Sequence, residues 1–340
     1  MSRQLILISV VTLLSLLGGL ARADLIVAEN LLVDLRAEDL PYGTAATWPN
    51  RGSLGSFTAR GTPAVEHVHG LKAVTFDSTC WFDGPTSTPG IEGAGTRSIE
   101  VWAYNPSIPG EETTVSWSHR GGPNGSNMAF NYGNSNLWGA VGHWGGDTHD
   151  MGWWTNHIPA PAAGKWWHLV YTYDGVGARV YVNGVEESVR NPIAINTYGG
   201  NIIRIAAQAD DTGAGVAGIS NFTGSIAEVR IHDGVLSPAA ILNNFKLGGP
   251  KKAYDPVPAD GAINVPKSML SWSAGNTAVA HDVYFGTDQT AVTNADTFSP
   301  EYIEQTSFTY CVNSLVMNAQ QPQKTYYWRI DEIDEGENIV

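Results

Sequence analysis

Cysteine is nearly absent: the 340 residues hold two, Cys80 and Cys311. They fall far apart, in what read as different domains, so a disulfide scaffold and a cysteine metal site are both excluded. Each is expected to be a small buried apolar residue. Basic residues are also scarce, with 19 Lys and Arg against 33 Asp and Glu, a net charge of −14. Nucleic acid needs a basic surface, so no nucleic-acid partner is expected. Adsorption on anionic lipid is disfavoured for the same reason. One long apolar run occurs, at the N-terminus, and none follows, so no integral membrane segment is expected after it. Extended helix-forming stretches are missing too. The 38 glycines, 12 tryptophans and 13 tyrosines suit short strands joined by tight turns.

The N-terminal run has its own logic. Arg3 precedes apolar residues 5–17, and the run ends at Gly18-Gly19 and Ala21-Arg22-Ala23. A basic start, a short apolar core and a small-x-small site form a secretory signal peptide, residues 1–23. A bilayer span needs about 20 apolar residues, more than this run supplies. The mature protein is therefore expected to be secreted, periplasmic or at the cell surface. Its length leaves room for two domains.

Strand patterns recur along the rest. Residues 98–104 alternate between polar or small and apolar side chains. Residues 166–173 continue the β-rich pattern, and Asp174-Gly175 turns the chain into residues 178–182. Asn183-Gly184 is a strong hairpin turn, because both positions tolerate positive φ. Further strands are expected over 185–189, 202–207 and 224–231. One short helix is expected after Ser237-Pro238, with Ile241, Leu242 and Phe245 on one face and Gly248-Gly249-Pro250 as its stop. A linker spans 248–258. Beyond it, Trp272, the stretch His281 to Phe285, and alternating Tyr326, Trp328 and Ile330 suggest a smaller sandwich over 259–340. Its last strand has no room before Val340, which suggests a fragment or a replaced strand.

The residues from Trp167-His168-Leu169-Val170-Tyr171 to Asp174-Gly175, then Arg179-Val180-Tyr181-Val182-Asn183-Gly184, resemble the central hairpin of laminin-G-like, concanavalin A-like jelly-roll domains. Phe222 to Ile231, followed by Leu236-Ser237-Pro238, resembles that family's closing strand and helix. The resemblance covers residues 24–247. Pro258-Ala259-Asp260-Gly261 and Tyr326-Tyr327-Trp328-Arg329 resemble a partial fibronectin type III-like domain. Together they imply an all-β protein, a jelly-roll sandwich followed by a smaller immunoglobulin-like one. Family members bind glycans, proteins or calcium, and fold alone does not choose among these.

Half of the tryptophans lie between Trp138 and Trp167. Trp144, Trp153 and Trp154, with His143 and His149, are the candidate ligand-binding residues. An exposed indole is costly without a partner, and its flat face stacks well on a sugar ring. The competing reading folds these aromatics down onto the sandwich. Asp147 and Asp150 in a Gly-rich loop are candidate calcium ligands, calcium being the cofactor such a loop suggests; the alternative is a solvated turn. The four histidines between His119 and His157 lie at no recognised zinc spacing, and Asp210-Asp211 is a second acidic pair in a Gly-rich loop, with a solvated turn as its alternative too.

Catalytic strings are scarce. Glu332-Ile333-Asp334-Glu335-Gly336-Glu337 has the Glu-x-Asp-x-x-Glu form of some concanavalin A-like glycosidases, but it lies in the second unit and reads as coincidence. Glu100 and Glu228 are lone carboxylates on strands. No Gly-x-Ser-x-Gly, phosphate loop or His-Glu-x-x-His occurs. The expected function is a non-catalytic binding or adhesion module whose partner is a glycan or an extracellular protein. A glycoside hydrolase or polysaccharide lyase relative is the first alternative, a purely structural interaction module the second. The reading places recognition at the sandwich rim, with no groove of paired acids.

Overall fold

The computed structural model describes residues 24–153, 161–266, 269–313, 316 and 324–339. The expected leader, residues 1–23, lies outside the described residues. Two antiparallel sheets form the larger body. The nine-stranded sheet runs Val185–Arg190, Ala178–Val182, Trp166–Tyr173, Arg97–Tyr104, Thr223–His232, Leu71–Asp77, Ala64–Val68 and Gly43–Thr44, with Leu31–Arg36 also paired to Thr223–His232. The seven-stranded sheet runs Val141–Gly142, Met128–Asn131, Thr113–Trp117, Ile202–Ile205, Trp81–Thr86, Phe57–Arg60 and Thr47–Trp48.

Alternation sets which residues meet between the sheets. Ile99, Val101, Leu169 and Tyr171 face Val115, Trp117, Met128 and Phe130 in one apolar core. The Asn183-Gly184 turn joins its two strands with φ of 50° and 84°, as the sequence implied. Trp167 packs against this core, while Trp166 turns to the opposite face and donates its indole N–H to Val68 O at 3.1 Å.

That opposite face is not bare. The helix Pro238–Leu247 lies over it, capped by Ser237 Oγ accepting from Ala240 N at 3.2 Å. Phe245 stacks on Trp102 at 5.7 Å. Gly248 follows so closely that a Cβ there would sit 2.1 Å from Trp102 Nε1. Beneath the helix, Glu100 is buried between His232 Nε2 at 3.0 Å and His168 Nε2 at 3.2 Å, and Asn244 Nδ2 donates to its Oε1 at 3.1 Å. Burial pushes the Glu100 carboxyl up, but the two imidazoles beside it outweigh burial and hold it well below the usual carboxylate range.

The second body is a smaller β sandwich. Tyr254–Val257, Leu270–Ser273 and Tyr310–Cys311 form one sheet; Tyr302–Thr306, Ala280–Gly286 and Tyr327–Ile333 form the other. Leu270, Trp272, Val283 and Cys311 fill the space between. Cys80 and Cys311 are free and buried, as expected. No helix among the described residues is long and apolar enough to cross a membrane.

The acidic string in this body is structural. Glu332 is buried beside His281 Nδ1 at 3.1 Å and accepts from Gly275 N. Asp334 Oδ1 accepts from Gly336 N and Asn338 N, closing a turn. Glu337 sits in that turn at φ 61°.

Candidate functional site

On the seven-stranded sheet, Met128 and Phe130 point into the core, so the residues between and beside them face outward. The outward face near the Val141–Gly142 edge carries a groove of about 410 Å³. A Cβ at Gly142 would lie 3.6 Å from Glu111 Oε1 and 3.8 Å from Ala129 Cβ, so glycine leaves this floor open. Trp138 and Trp144 line the groove and are 38% and 36% exposed. They are the exposed tryptophans among the described residues; Trp48, Trp102, Trp117 and Trp272 are buried.

The polar wall comes from separate segments. Arg120 Nη1 donates to Gln208 Oε1 at 2.6 Å, to Ser220 Oγ at 3.1 Å and to Glu111 Oε2 at 3.4 Å. Gln208 Nε2 returns to Glu111 Oε1 at 3.1 Å. The guanidinium lies 5.8 Å from the Trp144 ring centroid, a cation–π distance. Asn124 and Asn127 complete the lining. Asn127 Nδ2 donates to Gly142 O at 3.1 Å, which fixes its amide orientation and leaves buried Oδ1 without a partner.

Trp144 is held by its loop. Trp144, Gly145 and Gly146 have φ of 65°, 149° and 57°. Asp150 clamps this left-handed run: Oδ1 accepts from His143 N at 2.7 Å and Oδ2 from Gly146 N at 2.9 Å. Burial pushes the Asp150 carboxyl up to about 6, and the surrounding backbone amides pull against that rise.

The sequence-based candidates separate here. Trp144 and Asp150 line the groove. Trp153 does not: it is buried at 2% exposure and packs on Phe130 at 5.7 Å, so the expectation of an exposed Trp153 is corrected. His143 is wholly buried as well. Its Nδ1 faces Asn127 O at 2.9 Å and its Nε2 faces the Tyr171 hydroxyl at 3.1 Å. A carbonyl only accepts, so Nδ1 carries the proton and Nε2 accepts from Tyr171. Burial, then the nearby charge of Arg97, lowers its pKa to about 3. His143 therefore supports the groove from behind and is not among its lining residues. His149 Nδ1 pairs with Thr148 Oγ1 at 2.8 Å, outside the groove lining. Trp154 and His157 lie outside the described residues.

The calcium pair is not assembled as expected. Asp147 is exposed in a short turn, and Asp150 commits both oxygens to backbone amides. No group of three or more His, Cys, Asp or Glu placed to hold a metal occurs among the described residues. Asn221-Phe222-Thr223 has the Asn-x-Thr form of a glycosylation acceptor, but Asn221 is buried and donates to Ser78 O at 2.9 Å. A groove lined by Glu111 and Asp150 also departs from the expectation of a rim without paired acids. Sequence reasoning missed Glu111, Arg120, Asn127 and Gln208, which no local pattern connects.

Residues 85–242 match the family model of the Concanavalin A-like lectin/glucanases superfamily. No curated protein matches the chain. Among solved structures, domain 4 of AbnA, an extracellular arabinanase from Geobacillus stearothermophilus in complex with arabinotriose, is 19% identical with a TM-score of 0.47. That match covers 64% of this chain and 98% of that one. A Trypanosoma rangeli sialidase mutant displaying trans-sialidase activity is 12% identical with a TM-score of 0.42; 64% of this chain matches 32% of that one, about a third of its length. The binding domain of Paraclostridial Mosquitocidal Protein 1 is 11% identical with a TM-score of 0.40, over 64% of this chain and 52% of that one. From its two facing antiparallel sheets and the match over residues 85–242, the larger body is a concanavalin A-like jelly roll, followed by a second, smaller β sandwich.

Proposed function

We propose that this protein is a non-catalytic glycan-binding module that holds sugar in the groove beside Trp138 and Trp144. The observation that carries the reading is the placement of these two half-open indoles on one polar groove, in a molecule that buries most of its other large aromatics. An indole face covers the apolar face of a sugar ring, and fixed amides and a guanidinium at its edge meet the hydroxyls. Arg120 and Asn124 supply those groups, and the buried amides of Gln208 and Asn127 hold the wall behind them. The lectin/glucanase description of the matched family supports the same class of ligand. In this reading the protein is exported by residues 1–23, and the smaller sandwich serves as a fibronectin type III-like spacer.

The test is retardation of the purified chain in native gels containing polysaccharides, with and without chelator. Trp144→Ala is expected to weaken binding about tenfold or more. Retardation that Trp144→Ala and Trp138→Ala both leave unchanged would remove the groove from the function. Loss of retardation in chelator would restore calcium to the account.

A second reading, a glycosidase, is favoured by one observation: Glu111 and Asp150 line the same groove. Hydrolysis by a carboxyl pair needs one acid and one base or nucleophile. Release of reducing ends, abolished in Glu111→Gln, would select this reading over simple binding.

A further inference from the structure

We infer that the groove selects uncharged glycans and turns away uronic-acid and sulfated ones, an inference that rests on the glycan-binding reading. Among the described residues lining the groove, Arg120 is the one Lys or Arg. Its charge is already answered by Glu111, with Oε2 at 3.4 Å from Nη1. The same nitrogen also meets Gln208 and Ser220, and the group lies against the Trp144 ring. Recognition of a carboxylate or sulfate draws on an uncompensated cation, and an acidic group arriving here must compete with Glu111 for the charge of Arg120.

The remaining charge in the lining is negative. Asp150 adds a second acid with no basic partner; its oxygens are met by backbone amides alone. The other basic side chains nearby are not among the lining residues. Arg190 Nη1 donates to Asp147 O, on the outside of the loop. His119 stacks on Tyr198 at 4.2 Å. An anionic sugar would thus meet two acids and one neutralised cation, and like charges brought together at an interface oppose association. The net charge of −14 repels a polyanion at longer range as well. A neutral sugar meets none of these penalties, and its hydroxyls can donate to the carboxylate oxygens of Glu111.

The experiment compares unsubstituted neutral polysaccharides with polygalacturonate and a sulfated glycan, by calorimetry on the full chain at 20 and 200 mM salt. Neutral glycans are expected to bind at least tenfold more tightly at both salts, with little salt dependence. Glu111→Gln frees Arg120 and is expected to raise the acidic-to-neutral affinity ratio at least fivefold. Circular dichroism checks that the variant folds, and the unsubstituted chain carries the comparison alone where it does not. Equal or tighter binding of the acidic glycans by the unsubstituted chain would overturn the inference while leaving the glycan reading in place. An unchanged ratio in folded Glu111→Gln would also overturn it. Failure of every glycan, neutral and acidic, would remove the glycan reading itself and the inference with it.

Discussion

Asp150 fixes Trp144 through the backbone: the carboxylate accepts the amides of His143 and Gly146, the residues that bracket the one carrying the indole. Trp144 holds a positive φ, a conformation that costs energy for a residue with a side chain and persists only where its surroundings enforce it. Asp150→Asn keeps one acceptor and turns an N–H₂ toward the other amide. It is expected to weaken glycan binding about tenfold, matching one lost charge-assisted hydrogen bond of about 1.5–3 kcal/mol in part. Tryptophan fluorescence without ligand should shift in the same variant. An unmoved spectrum would show that Asp150 does not position the indole.

Glu112 gives a pH signature. It is buried at 5% exposure, Asn105 donates to it, and burial pushes its carboxyl up to about 7. The folded protein therefore holds this proton more tightly than the unfolded chain. The resulting stability is full below the ordinary carboxylate pKa and is lost as pH rises through about 7. Glu112→Gln keeps the acceptor and removes the charge. Its melting temperature relative to the unsubstituted chain should rise between pH 5 and pH 8, by ~1–2 kcal/mol of stability. A constant difference across that range would contradict the assignment.

Glu100 works in the opposite sense. Its pKa is held down, so its contribution is present above the unfolded carboxylate value and is lost as pH falls through the lower folded one. Glu100→Ala leaves His168 and His232 buried without the carboxylate between them and leaves Asn244 with Ile26 O as its remaining acceptor. Removing one member of a buried pair costs about 3–5 kcal/mol, and denaturant unfolding at pH 7 should show a loss of that size. A loss under 1 kcal/mol would show the cluster to be dispensable.

Gly248 is constrained by packing. Its φ is negative, so conformation alone would admit alanine, but the added Cβ would sit 2.1 Å from the Trp102 indole. Trp102 is pinned by Phe245 and cannot yield. Gly248→Ala is expected to lower stability by about 1–3 kcal/mol through overpacking, read as a lower melting temperature. No change would mean that the chain after the helix sits loosely on the sheet.

The fold was legible because its signals are local. Alternation over residues 98–104 and 166–173, the Asn183-Gly184 turn and the Ser237-Pro238 helix start each act within a few residues, and each element formed where the pattern put it. The site was half legible. Trp144 and Trp153 sit in the same Gly-rich stretch with similar neighbours, yet one lies on the groove and the other on Phe130. Positive φ at 144–146 breaks the alternation that would have told them apart. Glu111, Arg120 and Gln208 meet only after the sheet brings distant loops together, so no spacing in the sequence announced them. The presence of Glu111 was hidden further by its neighbour Glu112, whose side chain is committed to Asn105.

The most direct measurement is an NMR titration that follows the tryptophan indole N–H signals as a neutral oligosaccharide is added. Signals of Trp138 and Trp144 should move together and saturate, while those of buried Trp48, Trp102 and Trp117 stay fixed. Movement confined to other indoles, or no movement with a glycan that demonstrably binds, would contradict the groove as the place of recognition.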